Sequence, residues 1–294
     1  MKYLEKHPMI MVIIGILGIS VSAILVRYSA APSAVTAAYR LLWTVVLMTP
    51  VVLGKREVRK EIRGLDKKTV LLSCVSGVFL AIHFVVWFES LHHTSVASST
   101  TIVCTEVIWV SLGYCLFLKG KLSAKAIAVI GITLAGSVLI AFADAASGQA
   151  QLYGDILALV AAVAVAVYTL IGREMRKSTS TTVYTYLVYS ACAAVLVAVC
   201  FVQGYPLLKQ DFSAVLVGLG LAVFSTILGH SIFSWCLKYF SPSFVSASKL
   251  CEPVAAAVMA AVLFGELPVL LQILGGALIL GGVYSYSRIE LASQ

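Results

Sequence analysis

The chain has 294 residues, of which 61% are hydrophobic and only 12% are charged, and its formal net charge is +8. Soluble domains carry about 25% charged residues, so this composition, with a mean hydropathy of +1.00, excludes an ordinary soluble protein. The basic residues lie between apolar segments, which favours contact with anionic lipid over binding of nucleic acid. We therefore expect a lipid bilayer as a partner and no nucleic acid.

Apolar stretches of roughly 20 residues recur along the chain, a pattern typical of transmembrane helices. The longest polar segment, residues 54–68, is too short to form a folded soluble domain. We predict an all-α polytopic membrane protein with ten transmembrane helices. The predicted spans are residues 8–27, 33–53, 69–91, 94–117, 122–143, 152–172, 180–203, 211–237, 243–264 and 268–287.

The basic residues also predict the orientation, since cytoplasmic loops of membrane proteins carry an excess of Lys and Arg. With the N-terminus in the cytoplasm, the basic cluster from Lys55 to Lys68 lies inside, and only Arg27 and Lys209 fall outside. An even number of spans returns the C-terminus to the same side. We predict a multi-pass protein of the cell (inner) membrane with both termini cytoplasmic.

Two acids stand at matched positions in the two halves of the chain. Glu106 and Glu252 each lie in an apolar span, 146 positions apart (252 minus 106). At nearly the same interval, with a slip of one residue, His83 corresponds to His230. Because five spans per repeat is an odd number, the second copy must enter the membrane from the opposite side. We predict two inverted five-helix repeats. The predicted repeats are residues 1–145 and 146–294.

Several segments carry a family pattern. They are AAYRLLW around Arg40, TEVIWVSLGYCLFLKGKLS from Thr105, YGDILALVAAVAVAVYTLIGRE from Tyr153, KLCEPVAAAVMAAVLFGELP from Lys249 and GGALILGGVY from Gly275. The chain thereby resembles the EamA-type branch of the drug/metabolite transporter (DMT) superfamily over essentially its whole length. The resemblance implies an exporter of small metabolites, commonly amino acids or related compounds, with the substrate held in a central cavity lined by both repeats. It does not imply one particular substrate.

The chain departs from that pattern at two positions. Val107 stands where the second copy has Pro253 after the acid, so the sequence gives weaker grounds to expect that both halves bend alike. Lys249 places a cation three positions before Glu252, and in a continuous helix these two side chains would form an ion pair. Pro253 removes the helical hydrogen-bond donor for the carbonyl of Lys249, and interrupted helices are where transporter sites tend to form. We therefore expect Lys249 to contact the substrate.

Charged side chains at the centre of a transmembrane helix cost about 2.5 to 3.5 kcal/mol each, so each needs a partner, a cavity or a neutral form. Glu106 and Glu252 can bind a proton or a cationic group, or can serve only in helix packing. Arg40 can attract a carboxylate or phosphate through its planar guanidinium. Its alternatives are to extend toward the outer lipid headgroups or to pair with Glu89.

His83 shares a helical face with Trp87, four positions further on, an arrangement that suits stacking or a cationic substrate. His83 and His230 can also relay protons near neutral pH, although a lone histidine in a membrane helix also serves as a packing hydrogen bond. The histidines show no pair at ligand spacing, so we expect no metal and no cofactor.

These residues define the candidate substrate site. The candidates are Lys249, Glu252, Glu106, His83, Trp87, Arg40 and His230. Their formal charges sum to zero, which suits a zwitterion. We predict a secondary transporter that exports a small polar metabolite, an amino acid or related zwitterion, by alternating access.

The alternatives are an exporter of cationic drugs or other small metabolites, and a membrane-embedded enzyme. The chain contains no Walker A, HExxH or GxSxG motif, so we expect no enzyme and no catalytic residue. Coupling to protons and the oligomeric state stay open.

Overall fold

The structure, a computed structural model, describes residues 7–94, 96–145, 152–264 and 269–292. These residues form an all-helical polytopic membrane protein with about eight to ten apolar helices. In the described part, eight helical segments are long and apolar enough to cross a membrane, and the apolar part of one further helix, Ala124–Ile140, is shorter. Large apolar side chains cover the outer surface, for example Phe117 at 79% and Phe201 at 85% exposure. Such a surface is solvated by lipid.

The helices are numbered here in chain order. The first part contains α1 (Pro8–Arg27), α2 (Ser33–Gly54), α3 (Arg56–Arg63), α4 (Lys67–His93), α5 (Val96–Cys104), α6 (Glu106–Phe117) and α7 (Ala124–Ala145). The second part contains α8 (Leu152–Met175), α9 (Thr181–Val202), a 3-10 turn (Leu207–Lys209), α10 (Phe212–Gly220), a π-helical segment (Leu221–His230), α11 (Ser231–Cys236), α12 (Pro242–Lys249), α13 (Glu252–Phe264) and α14 (Leu270–Ala292). The predicted boundary between the repeats lies beside residues 146–151, outside the described residues.

The predicted spans 94–117 and 243–264 are each broken immediately before an acid. In the second half the break at Leu250 and Cys251 precedes Glu252 and Pro253, as the proline predicts. In the first half Thr105 interrupts the helix without any proline. Its hydroxyl donates to the carbonyl of Ile102 at 2.6 Å, and its backbone N–H donates to the same carbonyl at 3.0 Å. A threonine can therefore tighten this turn and interrupt the helix.

The two spans are thus interrupted at matched positions, although only the second contains a proline. Val107 replaces the proline, yet both acids begin a new helix, Glu106 in α6 and Glu252 in α13. An acid at a helix N-terminus is stabilised by the partial positive charge of the unpaired N–H groups there. The matched acids therefore occupy equivalent structural positions.

The predicted span 211–237 contains the π-helical segment Leu221–His230 between α10 and α11. Hydroxyl groups bond to carbonyls five residues earlier, Thr226 to Leu221 at 3.2 Å and Ser231 to Thr226 at 3.1 Å. A π-turn accommodates extra chain within a helix, and such turns are frequent at functional sites. This segment explains the one-residue slip between His83 and His230.

Helices from the two halves pack against each other in a reciprocal way. Helix α1 runs antiparallel to residues 221–236, and Gly18 lies so close that an added Cβ would be 2.8 Å from the Leu228 carbonyl oxygen. Helix α4 runs antiparallel to α8, with Gly154 similarly close to Thr94. The first helix of each half therefore packs on the third long span of the other half.

The last helices of the two halves, α7 and α14, also pack directly on each other. An added Cβ at Gly136 would be 2.7 Å from the Gly275 carbonyl oxygen, and one at Gly275 would be 2.6 Å from that of Gly136. Gly136 also faces Ile279 while Gly275 faces Ile140, so the two helices are antiparallel. Glycines at such crossings let two backbones approach closely.

Helix α3 lies in the polar segment that the hydropathy pattern treats only as a loop. Its one buried side chain, Val58, packs in a small cluster with Val52 and Val183. The carboxylate of Glu61 accepts a hydrogen bond from the backbone N–H of Ser180 at 2.6 Å, just before α9. This short basic helix therefore connects the loop after α2 to the second half of the chain.

Candidate substrate-binding cavity

A cavity of about 40 Å³ lies between helices of both halves, near the two helix breaks. Its lining consists of Ile19, Ser22, Arg40, His83, Trp87, Val103, Glu106, Val165, His230, Lys249 and Glu252. All the candidate residues named from the sequence lie in this lining. A water needs roughly 10–15 Å³ of such space, so the cavity holds only a few waters and a larger ligand requires the helices to separate.

An ion pair joins the two helix breaks across the cavity. Lys249 Nζ lies 2.9 Å from Glu106 Oε1, and both side chains are buried. Lys249 ends α12, where the helix dipole favours a cation, and Glu106 begins α6, where it favours an anion. The pair therefore links the second half of the chain to the first.

The predicted ion pair between Lys249 and Glu252 is wrong, because the ion-pair partner of Lys249 is Glu106. The rule that residues three apart lie on one face holds only in a continuous helix. The turn at Leu250 and Cys251 separates Lys249 in α12 from Glu252 in α13. This local break leaves Lys249 to find its partner in the other half.

Arg40 is buried at the cavity, with 1% of its surface exposed. Its Nε donates to Thr226 Oγ1 at 2.8 Å and its Nη1 donates to Ser22 Oγ at 3.3 Å. The guanidinium carbon lies 4.1 Å from the centre of the Phe84 ring, a cation–π contact. The contacts of Arg40 are thus neutral groups.

Arg40 follows neither of the structural alternatives, since it neither extends to the headgroups nor pairs with Glu89. Glu89 Oε1 lies 3.2 Å from His93 Nε2 at the end of α4, where both side chains are partly exposed. Arg40 instead lines the cavity together with Glu252. The positive charge of Arg40 therefore belongs to the cavity.

Glu252 is partly buried at the start of α13. Within the described ranges, its carboxylate has no hydrogen-bond donor and no cationic nitrogen within 4.0 Å. Lys249, Arg40 and Glu106 line the same cavity. The carboxylate of Glu252 is thus able to accept a hydrogen bond from a group outside the described residues, such as a ligand.

The histidines form an aromatic wall of the cavity. The ring of His83 stacks on Trp87 with centroids 5.7 Å apart, and it lies 6.4 Å from the ring of His230. His83 Nδ1 lies 3.0 Å from the Ala161 carbonyl and therefore donates to it. His230 packs edge-on to Phe84 at 5.3 Å.

Ser22 and Thr226, the hydrogen-bond partners of Arg40, were absent from the sequence-based site. Ser22 is one of two serines, with Ser20, in a largely apolar first span. Thr226 lies four residues before His230, and only the π-helical geometry and the packing of α2 on this segment bring it to Arg40. Long-range contacts of this kind leave no local pattern in the sequence.

A polytopic helical protein with a charged cavity between two similar halves has the architecture of a membrane transporter. The chain belongs to the EamA-like transporter family, which matches residues 7–142 and 152–288, and so to the DMT superfamily. Two EamA repeats therefore account for nearly the whole chain. This is a family of transporters and not of enzymes.

Two proteins of similar sequence are described as a transporter and as an efflux pump. An uncharacterized transporter of Clostridium kluyveri is 22% identical over 256 residues, which cover 85% of this chain and 82% of that protein. A probable amino-acid metabolite efflux pump of Escherichia coli is 29% identical over 174 residues, covering 56% of this chain and 58% of that one. A solved structure described only as the crystal structure of a protein has a TM-score of 0.79 at 18% identity, covering 98% and 99% of the two chains. That structure supports the fold alone.

Proposed function

We propose that this protein is a secondary transporter that exports a small polar metabolite, an amino acid or related zwitterion, through the central cavity. The observation that carries the proposal is the set of charges in the cavity lining, two cations and two acids. A lining that is neutral in sum but contains both signs of charge suits a ligand that also contains both. The description of the Escherichia coli relative points to the same class of substrate.

In this proposal, transport occurs when two inverted five-helix repeats rock about the cavity. The repeats are residues 1–145 and 146–294. The antiparallel packing of α7 on α14 supports the inversion, as does the reciprocal packing of the first helix of each half. Because the cavity has room for only a few waters, substrate entry requires these interfaces to shift. The substrate would then be exposed to one side of the membrane at a time.

Export of cationic drugs is the second candidate. The stacked rings of His83 and Trp87, together with the acid Glu252, would suit a flat cation. Arg40 argues against it, because a buried cation in the lining repels a substrate that is only positive.

The two candidates differ in the substrates that purified protein moves across reconstituted vesicles. We expect at least one of the twenty standard L-amino acids to exchange across the membrane well above the rate in empty vesicles, while tetraphenylphosphonium does not. The variant Lys177→Gln changes an exposed residue that pairs with Glu174 and is not part of the cavity lining, so it serves as a matched control and should transport like the parent. Movement of tetraphenylphosphonium with all amino acids inert would overturn the proposal in favour of drug export.

The proposed orientation places both termini in the cytoplasm of the cell. Green fluorescent protein fused after Lys60 or at the C-terminus should fluoresce in bacteria, because this reporter folds only inside. Alkaline phosphatase fused after Lys209 should be active, because this enzyme requires the outside. The reverse pattern would contradict the predicted orientation while leaving the fold unchanged.

A further inference from the structure

We infer that Arg40 and Glu252 bind the two charged ends of the substrate, Arg40 its carboxylate and Glu252 its ammonium group. The inference rests on the proposed function, because it assigns the ligand groups within the proposed amino-acid site. It also changes the expected role of Lys249, whose charge is already neutralised by Glu106.

The cavity contains two kinds of charge. Lys249 and Glu106 lie 2.9 Å apart and are buried, so each neutralises the charge of the other before any ligand arrives. Neither Arg40 nor Glu252 has such a partner within the described part of the chain: no ion pair within 4.0 Å joins either of them to an opposite charge. One cation and one anion therefore remain for a ligand.

The guanidinium of Arg40 is suited to a carboxylate. Its Nε and Nη1 donate to the hydroxyls of Thr226 and Ser22, and these bonds hold the planar group in place. Its Nη2 makes no hydrogen bond to any described residue. A carboxylate on Nη2 would gain a charge-assisted hydrogen bond, for which a guanidinium is especially well shaped.

The carboxylate of Glu252 is suited to an ammonium group, because it accepts no hydrogen bond from the described residues. Arg40 and Glu252 line the same cavity, and no direct ion pair joins them. The ammonium and carboxylate groups of an α-amino acid sit on the same carbon. A single such molecule would bridge the two residues and neutralise both.

This assignment predicts a preference for net-neutral amino acids. Once both ends are bound, the charges left in the lining are those of Lys249 and Glu106, which neutralise each other, and Ile19, Val103 and Val165 form its aliphatic part. A charged substrate side chain would be removed from water without a partner, which is costly in a buried site. Lysine and glutamate should therefore bind more weakly than amino acids with neutral side chains.

The test measures binding of three related probes to the purified full-length protein. The twenty standard L-amino acids are screened first, and the tightest binder is then compared with its α-amide and with its amine-free acid. The amide lacks the carboxylate and the acid lacks the ammonium group. We expect each to bind the parent protein roughly 10- to 100-fold more weakly than the amino acid, the range of one charge-assisted hydrogen bond.

Two variants separate the ends of the molecule. Arg40→Gln should weaken binding of the amino acid by about the same 10- to 100-fold. Binding of the amide should stay nearly unchanged, because the amide has no carboxylate to pair with Arg40. Glu252→Gln should weaken binding of the amino acid and leave binding of the amine-free acid nearly unchanged. Arg40→Lys keeps a cation in case the glutamine variant fails to fold, and it should retain part of the preference for the carboxylate.

If Arg40 and Glu252 only support the structure, each variant would weaken binding of all three probes alike. This result would overturn the assignment. The same holds if Arg40→Gln or Glu252→Gln leaves binding of the amino acid unchanged. If amino acids are transported but the variants show neither pattern, the assignment fails while the proposed function stands. If no amino acid binds or moves, both fail together.

Discussion

Lys249→Met is expected to lower the free energy of unfolding by about 3 to 5 kcal/mol, the cost of leaving a buried ion without its partner. The variant leaves Glu106 buried opposite an apolar side chain, with its former partner 2.9 Å away removed. Methionine is chosen because it keeps most of the length of the lysine side chain. Denaturant unfolding of the purified protein in detergent measures the change.

The double variant Lys249→Met with Glu106→Gln should recover most of this loss, because it removes both charges. The exposed pair Glu174 and Lys177, at 2.6 Å, gives a matched control. Lys177→Met should cost only about 0 to 1 kcal/mol, because water screens exposed pairs. A double variant as unstable as the single one would show that the pair is not what the stability depends on.

A second large effect is expected where α7 crosses α14. Gly136→Ala and Gly275→Ala should each destabilise the protein by about 1 to 3 kcal/mol, the range for an overpacked contact. The added methyl group would lie 2.7 or 2.6 Å from a carbonyl oxygen of the facing helix, and two backbones cannot yield as a flexible side chain can. Unfolding in detergent again measures the change.

The same two helices carry the control positions. Gly131 in α7 and Gly281 in α14 have no atom within 4 Å of an added Cβ. Alanine at either should be neutral or stabilise by up to about 1 kcal/mol, because alanine forms helix more readily than glycine. Equal losses at all four positions would contradict the close helix crossing.

The membrane spans could be predicted because the bilayer requires long apolar helices, and such helices are recognised from the local amino-acid composition. Where the chain breaks those helices was predictable only in part. Pro253 predicts one break, because proline lacks the N–H that a continuous helix needs. Thr105 produces the other break, because its hydroxyl donates to a backbone carbonyl. Threonines in membrane helices are common, so this signal is weak without coordinates.

The residues of the candidate site were predictable because charge is expensive in a membrane and must gather in a cavity. Their pairing was not. The partner of Lys249 is 143 positions away in sequence (249 minus 106), and spacing favoured the nearer Glu252. The hydroxyl partners of Arg40 were equally hidden, because they depend on how α1 and the π-helical segment pack against α2.

The crossed packing of the two halves has a consequence for biogenesis. Helix α1 places Gly18 against Leu228, and α4 places its end against Gly154, so each early helix has its partner late in the chain. During synthesis these helices enter the bilayer first, and α4 meets α8 only after residue 175 has followed, while α1 meets its partner only after residue 236. We expect folding to be completed only after insertion of the second half, and a chain stopped after residue 145 to be a target for membrane proteases.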